Sequence, residues 1–211
     1  MLKVQVGAGL DGPADWLNLD ASPTLRLQRL PVAGRWLRKV TQPRFSSTVT
    51  YGDVVRGLPL PSRSVRIVYS SHMLEHLALH DFCTALGEIH RVLCPGGVFR
   101  SVLPDLDREV QRYLGSTGSD RASEFMRATL LGLERRERGL VGALRAWLGN
   151  SQHMWMWDYP SLEHRLAQAG FVDIRPARFG DSAEPAFSEV ENPDRWHDCV
   201  GFECRKSSSG A

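Results

Sequence analysis

The sequence contains no long hydrophobic run, few cysteines and little net charge, and these shortages limit the classes of protein to which it can belong. No apolar run approaches the roughly 20 residues that a helix needs to cross a bilayer, so we expect no membrane-spanning segment. The first residues, Met1–Val6, have a strand pattern instead of the basic and apolar regions of a signal peptide. We therefore expect a cytoplasmic protein.

The four cysteines include no CxxC pair, the spacing that is typical of zinc and redox sites, so we interpret them as reduced structural thiols. A formal net charge of +2 argues neither for nor against a nucleic-acid partner, and we see no clear sign of one. With 42% apolar and 24% charged residues, the 211-residue chain has the composition of one globular domain with elaborations. We predict a single domain over residues 1–205 and an unstructured tail over residues 206–211. Nothing in the sequence indicates an oligomeric state.

The most regular stretch of the chain runs from residue 67 to residue 105. Ile67–Ser70 is a short apolar run typical of a buried strand, and Asp81 is a candidate cap for an amphipathic helix that follows it. Pro95–Gly97 predicts the end of that helix, and Val98–Leu103 predicts the next strand. A strand, a helix and a strand of these lengths predict two parallel strands with a right-handed crossover.

Ligands in such sheets bind at the carboxyl ends of the strands. The residues at these ends are Ser70, Ser71 and His72 after the first strand and Asp105 after the second. We therefore expect them to lie close to a ligand.

A literal GxGxxG pattern, Gly7–Gly12, follows the first predicted strand. Trp16–Leu19 already has the pattern of the second strand, which leaves too little chain for the helix of a dinucleotide-binding unit. The pattern therefore predicts a glycine turn that lets a ligand approach the backbone, with the carboxylate of Asp20 at the next strand end to accept from a ribose diol. A tight turn with Asp20 as a helix cap is the alternative.

Several segments in a fixed order carry a family resemblance. They are Gly7-Ala8-Gly9 with Asp20, Gly52-Asp53 with Leu58–Pro61, Tyr69–His76, Glu88–Gly97 and Ser161–Phe171. With these segments the sequence resembles the class I S-adenosylmethionine-dependent methyltransferases, and most closely small bacterial members with a very short loop between the first two strands. The missing crossover helix departs from the broad class I pattern.

The resemblance implies an α/β fold: a Rossmann-like, doubly wound, mostly parallel seven-stranded sheet with an antiparallel last strand and a helical cap insertion. It implies S-adenosylmethionine as the cofactor and methyl transfer to an oxygen or nitrogen nucleophile of a small or sugar-like acceptor. The cofactor-binding residues that it implies are Gly7, Ala8, Gly9, Asp20, Ala21, Asp53, Val54, Ser70, Ser71 and His72.

Three residues are candidates for a general base, because they lie at strand ends or in the predicted cap: His72, Asp105 and His153. His72 to His76 also form a literal HxxEH, a zinc-peptidase pattern that requires an established helix and one more ligand. The segment has only just left a strand, so we expect no functional zinc at His72 and His76. Glu75 and His76 then make local hydrogen bonds, or His72 contacts the cofactor or the acceptor.

The segment from about residue 106 to residue 159 predicts a helical insertion that covers the carboxyl edge of the sheet and selects the acceptor. Near its end, Trp155 and Trp157 form either a packed core of the cap or an aromatic roof over the acceptor. Asp120–Leu148 is rich in arginine, which suits an anionic group. A second hypothesis is a non-catalytic methyltransferase-fold module that uses this segment to bind a partner.

Overall fold

A computed structural model describes residues 1–31, 34, 36, 43–134 and 152–208, and its centre is a seven-stranded sheet with the strand order β3-β2-β1-β4-β5-β7-β6. The strands are β1 (Leu2–Val6), β2 (Leu17–Asp20), β3 (Val49–Tyr51), β4 (Val65–Ser71), β5 (Leu93–Pro104), β6 (Phe171–Ala177) and β7 (Cys199–Lys206). β7 pairs antiparallel with both of its neighbours, and the pairs from β3 to β5 are parallel. This confirms the predicted Rossmann-like fold class.

The described α-helices lie between strands along the chain, but not between every pair of consecutive strands. They are α1 (Pro23–Gln28), α2 (Leu79–Val92), α3 (Leu106–Gly115), α4 (Arg121–Ala128) and α5 (Tyr159–Gln168), with 3₁₀ turns at Leu74–His76, Pro185–Glu189 and Pro193–Arg195. Within the described parts of the chain, no helix combines the length and the apolarity that a membrane span requires.

The connection between β1 and β2 has the short form that the sequence predicts. Residues 7–16, all of them described, contain no helix, and yet the two strands pair in parallel with Val6 opposite Leu19. The buried Asn18 side chain donates to the carbonyl oxygens of Pro13 and Trp16, at 2.8 and 3.1 Å. These hydrogen bonds fix the loop where a crossover helix would otherwise pack.

Both predicted limits of the central helix are wrong. α2 begins at Leu79, so Asp81 lies inside the first turn, where its negative charge still suits the helix N-terminus. The helix ends at Val92, and Pro95–Gly97 lies inside β5. The cause is pairing: Leu93 already lies opposite Val65, and a register shift before Ile67 accommodates the extra residues.

The end of α2 is held by the last strand. The Lys206 Nζ donates to the carbonyl oxygens of His90 and Leu93, at 2.6 and 2.9 Å. β7 therefore includes Lys206, which the sequence assigned to the tail, and residues 209–211 lie outside the described residues.

The core lies on both faces of the sheet because side chains alternate along each strand. On β4, Val68 packs into the larger cluster with α2 and α5, whereas Ile67 and Tyr69 pack on the opposite face. The second face is covered by Phe187 and Trp196, which come from the segment between β6 and β7. This segment therefore covers the second face of the sheet, where a doubly wound fold would otherwise have helices.

A buried arginine on β5 holds the covering segment in place. Arg100 is fully buried, and its guanidinium donates to Glu191 at 2.6 Å, Asp181 at 2.9 Å and Glu203 at 3.1 Å. The same guanidinium lies 4.7 Å from the centroid of the Trp196 ring. Because several carboxylates share one buried cation, loss of the cation leaves negative charges that have been removed from water.

The predicted insertion at about 106–159 leaves the sheet at the end of β5 and is only partly described. It contains α3 and α4, and residues 135–151 lie outside the described residues. These include the second half, residues 135–148, of the arginine-rich segment Asp120–Leu148. The chain is described again from Gln152, which leads into α5.

Arg100→Met should lower the free energy of unfolding by about 3 to 5 kcal/mol, because it strands the buried carboxylates of Glu191 and Glu203. Arg112→Met is the matched control: Arg112 is exposed, and its ion pairs should contribute about 0 to 1 kcal/mol. Urea unfolding of both variants measures the difference, and equal losses would contradict this role of Arg100.

Candidate functional site

The glycine turn is fastened to the end of β2 by backbone hydrogen bonds. The N–H groups of Gly7 and Ala8 both donate to the Leu19 carbonyl oxygen, at 2.8 and 3.0 Å. The Gly9 N–H donates to Oδ2 of Asp20 at 3.1 Å. The turn and the carboxylate that the sequence predicts to share a ligand are therefore in direct contact.

Glycine is required at positions 7 and 9 for different reasons. Both residues have positive φ angles, +70° at Gly7 and +67° at Gly9, which side chains disfavour. A Cβ at Gly7 would come within 2.5 Å of the Met73 side chain, just after β4. A Cβ at Gly9 would meet none of the described residues within 4 Å. Gly7 thus brings two strand ends together, and Gly9 keeps the backbone open to a ligand.

Asp20 is a mostly buried acceptor at the end of β2. Burial raises the pKa of its carboxyl group, and the backbone N–H groups of Ser22 and Gly9 act in the opposite direction. These two hydrogen bonds, at 2.8 and 3.1 Å, occupy one lone pair on each oxygen and leave a second on each. The residue before α1 is Ser22, so Asp20 is not the cap of that helix. The open backbone at Gly9 and these remaining acceptor positions fit the ribose diol of S-adenosylmethionine.

The loop after β3 lies beside this carboxylate. The Gly52 N–H donates to the Asp20 carbonyl oxygen at 3.2 Å. Asp53 uses one carboxylate oxygen to accept from the N–H of Val55, at 3.0 Å, and Val54 packs in the main core. Asp53 therefore stabilises its own turn, and Ala21 is exposed on the other side of Asp20. The structure brings these predicted cofactor residues to the same edge of the sheet.

At the end of β4, the predicted residues differ in their surroundings. Ser70 is fully buried, and its hydroxyl has no hydrogen-bond partner among the described residues. The Ser71 hydroxyl accepts from the Arg195 guanidinium at 3.0 Å. His72 has a φ of +50°, and its Nε2 lies 2.8 Å from the Arg195 carbonyl oxygen. Because a carbonyl oxygen can only accept, Nε2 carries the proton and Nδ1 the lone pair of the neutral ring.

Glu75 lies at the centre of a cluster of ionisable side chains that was not predicted from the sequence. Its side chain is 1% exposed, and His72 Nδ1 and His153 Nε2 lie 3.5 and 4.0 Å from its Oε1. Neither carboxylate oxygen receives a hydrogen bond from the described part of the chain, so the predicted local hydrogen bonds of this carboxylate are not made. Burial raises the pKa of Glu75 to about 7 and lowers the pKa of His72 and of His153.

The end of the insertion is tied to this cluster by its backbone. The Glu75 carbonyl oxygen accepts from the N–H groups of Met154 and Trp155, at 2.8 and 3.1 Å. The His76 Nδ1 lies 2.8 Å from the carbonyl oxygen of Gln152. His76 and His153 are also in edge contact, with ring centroids 5.1 Å apart. His153 therefore reaches the end of β4 although it is distant in sequence.

Asp105, the third predicted base, lies at a helix start. Its carboxylate accepts from the Asp107 N–H at 2.9 Å and caps α3, and burial raises its pKa. The Leu106 N–H donates to the Trp157 carbonyl oxygen at 2.9 Å, which joins the two ends of the insertion. Asp105 thus has a structural role that the sequence did not predict.

The two tryptophans of the insertion have different environments. Trp157 is 2% exposed, belongs to the main core and stacks on Phe82 with centroids 4.1 Å apart. Trp155 is 42% exposed and lines a groove of about 330 Å³ beside the first turn of α5. The structure therefore assigns the packed interpretation to Trp157 and leaves Trp155 available for a ligand.

Two features of this edge of the sheet were not predicted from the sequence: the contact of Arg195 with Ser71, and the burial of the Glu75 side chain. Arg195 lies in a polar segment without a motif, so nothing marked its contact with Ser71. Glu75 did carry a signal, because the HxxEH pattern puts it between two histidines. The pattern could not indicate His153, which is distant in sequence and which the fold brings next to Glu75.

Comparison with known proteins agrees with this architecture. The family described as "Methyltransferase domain" matches residues 4–101, from β1 almost to the end of β5. Among curated proteins, none matches the sequence significantly.

Solved structures share the fold at low identity. An S-adenosylmethionine-dependent methyltransferase from Thermotoga maritima superposes with a TM-score of 0.53 at 15% identity, covering 98% of this chain and 82% of that one. A chain of the Haloferax volcanii complex with the Trm112 methyltransferase activator gives 0.52 at 17% identity, covering 100% and 83%. The Haemonchus contortus phosphoethanolamine N-methyltransferase 2 gives 0.52 at 15% identity, covering 98% and 49%.

The family match covers the glycine turn, Asp20 and the end of β4, and the solved structures share the overall fold that carries them. Together with the geometry of the turn, these findings show that residues 4–101 match the methyltransferase-domain family and that the chain has the fold of S-adenosylmethionine-dependent methyltransferases.

Proposed function

We propose that this protein transfers a methyl group from S-adenosylmethionine to an oxygen or nitrogen atom of a small acceptor. The observation that carries the proposal is the open glycine turn at Gly9, held against the buried carboxylate of Asp20 at 3.1 Å. A positive-φ glycine next to a carboxylate with lone pairs to spare suits a ligand that has both a main-chain contact and a diol.

In this proposal the cofactor lies along the carboxyl ends of β1, β2 and β4. Gly7, Ala8 and Gly9 border it with their backbone, and Asp20 accepts from the ribose hydroxyls. Ala21, Asp53 and Val54 lie toward the adenine, and Ser70, Ser71 and His72 lie toward the methionine moiety. The contact between Gly7 and Met73 supports this arrangement, because it puts the first and last of these segments side by side.

S-adenosylmethionine supplies an activated methyl group on a sulfonium centre. The chain therefore needs mainly to hold the acceptor in line and to exclude water, and such positioning is worth roughly 7 to 11 kcal/mol of the barrier. The tether from Glu75 to Met154 and Trp155 holds the insertion over the end of β4, where it can close the site.

Among the predicted bases, we assign proton acceptance to His72. Its Nδ1 carries the lone pair, and burial lowers its pKa, so the ring is neutral at pH 7. Asp105 is committed to capping α3, and the side chain of His153 is 8% exposed, against 24% for His72. A positioned base contributes typically 10² to 10⁴-fold to a rate.

The second candidate, a non-catalytic module, has one observation in its favour. The described loop at residues 7–16 lacks the crossover helix whose N-terminus helps to hold an anionic group. Transfer of a methyl group to any acceptor would exclude this candidate.

A cytoplasmic location and the absence of a nucleic-acid partner stay predictions.

Asp20→Ala tests the ribose contact. It should weaken S-adenosylmethionine binding by about 1.5 to 3 kcal/mol, the range for hydrogen bonds to a charged group. Asp15→Ala is the control, since Asp15 is exposed and pairs with Lys3 away from the turn. Calorimetry measures the S-adenosylmethionine affinity of both variants. An unchanged affinity in Asp20→Ala would refute the assignment of Asp20 to the ribose.

Gly9→Ala tests whether the cofactor contacts the turn. Gly9 and Gly180 have φ angles of +67° and +71°, and at both a Cβ would meet none of the described residues within 4 Å. Alanine at either position should cost a similar roughly 1 to 2 kcal/mol of stability. Only Gly9→Ala should also weaken binding of S-adenosylmethionine, and an equal effect of Gly180→Ala on affinity would contradict the proposed position.

Trp155→Ala tests whether the insertion selects the acceptor. Trp157 must stay, because truncation of this buried residue would cost about 3 to 5 kcal/mol and test folding instead. We expect methyl transfer to fall at least tenfold while the affinity for S-adenosylmethionine stays within a few-fold. Phe179→Ala, at a similarly exposed aromatic residue, should change neither quantity. Loss of cofactor binding with an unaltered acceptor preference would show that this division of roles is wrong.

A further inference from the structure

Three potential metal ligands meet at the junction between the end of β4 and the insertion. One donor atom each from Glu75, His76 and His153 lies within 4.8 Å of the other two. The 3₁₀ turn Leu74–His76 contributes two of them, and the tether from the Glu75 carbonyl to Met154 and Trp155 fixes the third.

The orientation of His76 is fixed by a second contact. Its Nδ1 lies 2.8 Å from the Gln152 carbonyl oxygen, which can only accept, so Nδ1 carries the proton. Nε2 then keeps the lone pair that a metal ligand requires. A backbone carbonyl on the outer ring nitrogen is the usual support of a metal-binding histidine, because it fixes both the tautomer and the ring plane.

Glu75 is the second, independent observation. The side chain is 1% exposed, and both of its oxygens lack a hydrogen-bond partner within the described ranges. Burial of an unpaired carboxylate costs several kcal/mol, so such groups are neutralised by a proton or by a cation. His72 does not donate to it, because the neutral ring of His72 presents its Nδ1 lone pair at 3.5 Å.

We propose that Glu75, His76 and His153 form a binding site for a first-row divalent cation, and that Zn²⁺ is the ion that this donor set fits best. Two imidazoles and one carboxylate are a recognised zinc set, in which three protein ligands leave a position for water or substrate. Tetrahedral coordination at about 2.1 Å separates ligand atoms by about 3.4 Å, so the widest pair must close by roughly 1.4 Å. Side-chain rotation of His153 and Glu75 supplies that movement.

This inference goes beyond the proposed function and departs from the expectation of no zinc at His72 and His76. That expectation depended on the lack of an established helix and of a third ligand. In the structure the segment is still only a short 3₁₀ turn, but His153 provides the third ligand. The proposed ligand set is therefore Glu75, His76 and His153, and His72 is not part of it. His153 then acts as a ligand rather than as a base, which leaves His72 as the base.

The test is Zn²⁺ binding to the full chain, measured without cofactor or acceptor, so that its failure is independent of methyl transfer. The exposed Cys83 is first changed to serine, because a free surface thiol also binds zinc. Calorimetry after removal of metal with a chelator should then show one Zn²⁺ per chain. Zn²⁺ should also raise the melting temperature, since it binds only the folded state.

Glu75→Gln and His153→Ala should each weaken Zn²⁺ binding by at least about 100-fold. His80→Ala, which removes an exposed imidazole on α2, should change the affinity less than twofold. Co²⁺ offers a second readout: its visible d–d absorption should appear with the parent protein and be lost in Glu75→Gln. Glu75→Gln keeps the shape of the side chain and removes a buried ionisable group, so it should fold even if His153→Ala does not.

The proposal is overturned if the chelator-treated protein binds no Zn²⁺ at micromolar concentration. It is equally overturned if binding persists in Glu75→Gln, or if His80→Ala weakens it as much as Glu75→Gln does.

Discussion

The close approach of β1 and β4 at Gly7 is the contact on which the geometry of the site depends. Any side chain at this position would collide with Met73, and the positive φ angle excludes most residues independently. Because this glycine lets the two strand ends meet, the turn that holds Asp20 lies beside the segment that carries His72 and Glu75. A cofactor along the first and an acceptor over the second would then be neighbours, as an in-line transfer requires.

The second constraint is the return of the insertion. Its end is held by main-chain hydrogen bonds from Met154 and Trp155 to Glu75, and its start is joined to it by Leu106 and Trp157. Main-chain bonds tolerate sequence change, so the groove around Trp155 can vary without loss of the tether. The buried Trp157 provides the apolar anchor of this arrangement. In the proposed function, this arrangement would combine a fixed cofactor edge with an acceptor side that is free to specialise.

Local patterns were sufficient for the strands, the glycine turn and the short first crossover, because alternation and glycine positions are visible in sequence. They were insufficient for Pro95–Gly97, which looks like a helix stop but lies inside β5 because Leu93 pairs with Val65. Tertiary contacts also decide the roles of Asp105 and Trp157. The meeting of Glu75 with His153 follows from the path of the insertion, and residue spacing carries no information about it.

A crystal structure with S-adenosylhomocysteine, the product of methyl transfer, would test the proposed position of the cofactor. We expect the ribose hydroxyls on Asp20, the ligand along the backbone of Gly7–Gly9, the adenine beside Asp53 and Val54, and the sulfur atom directed toward the end of β4. A ligand bound elsewhere on the chain, or one bound at this edge without contact to Asp20 and Gly9, would contradict it.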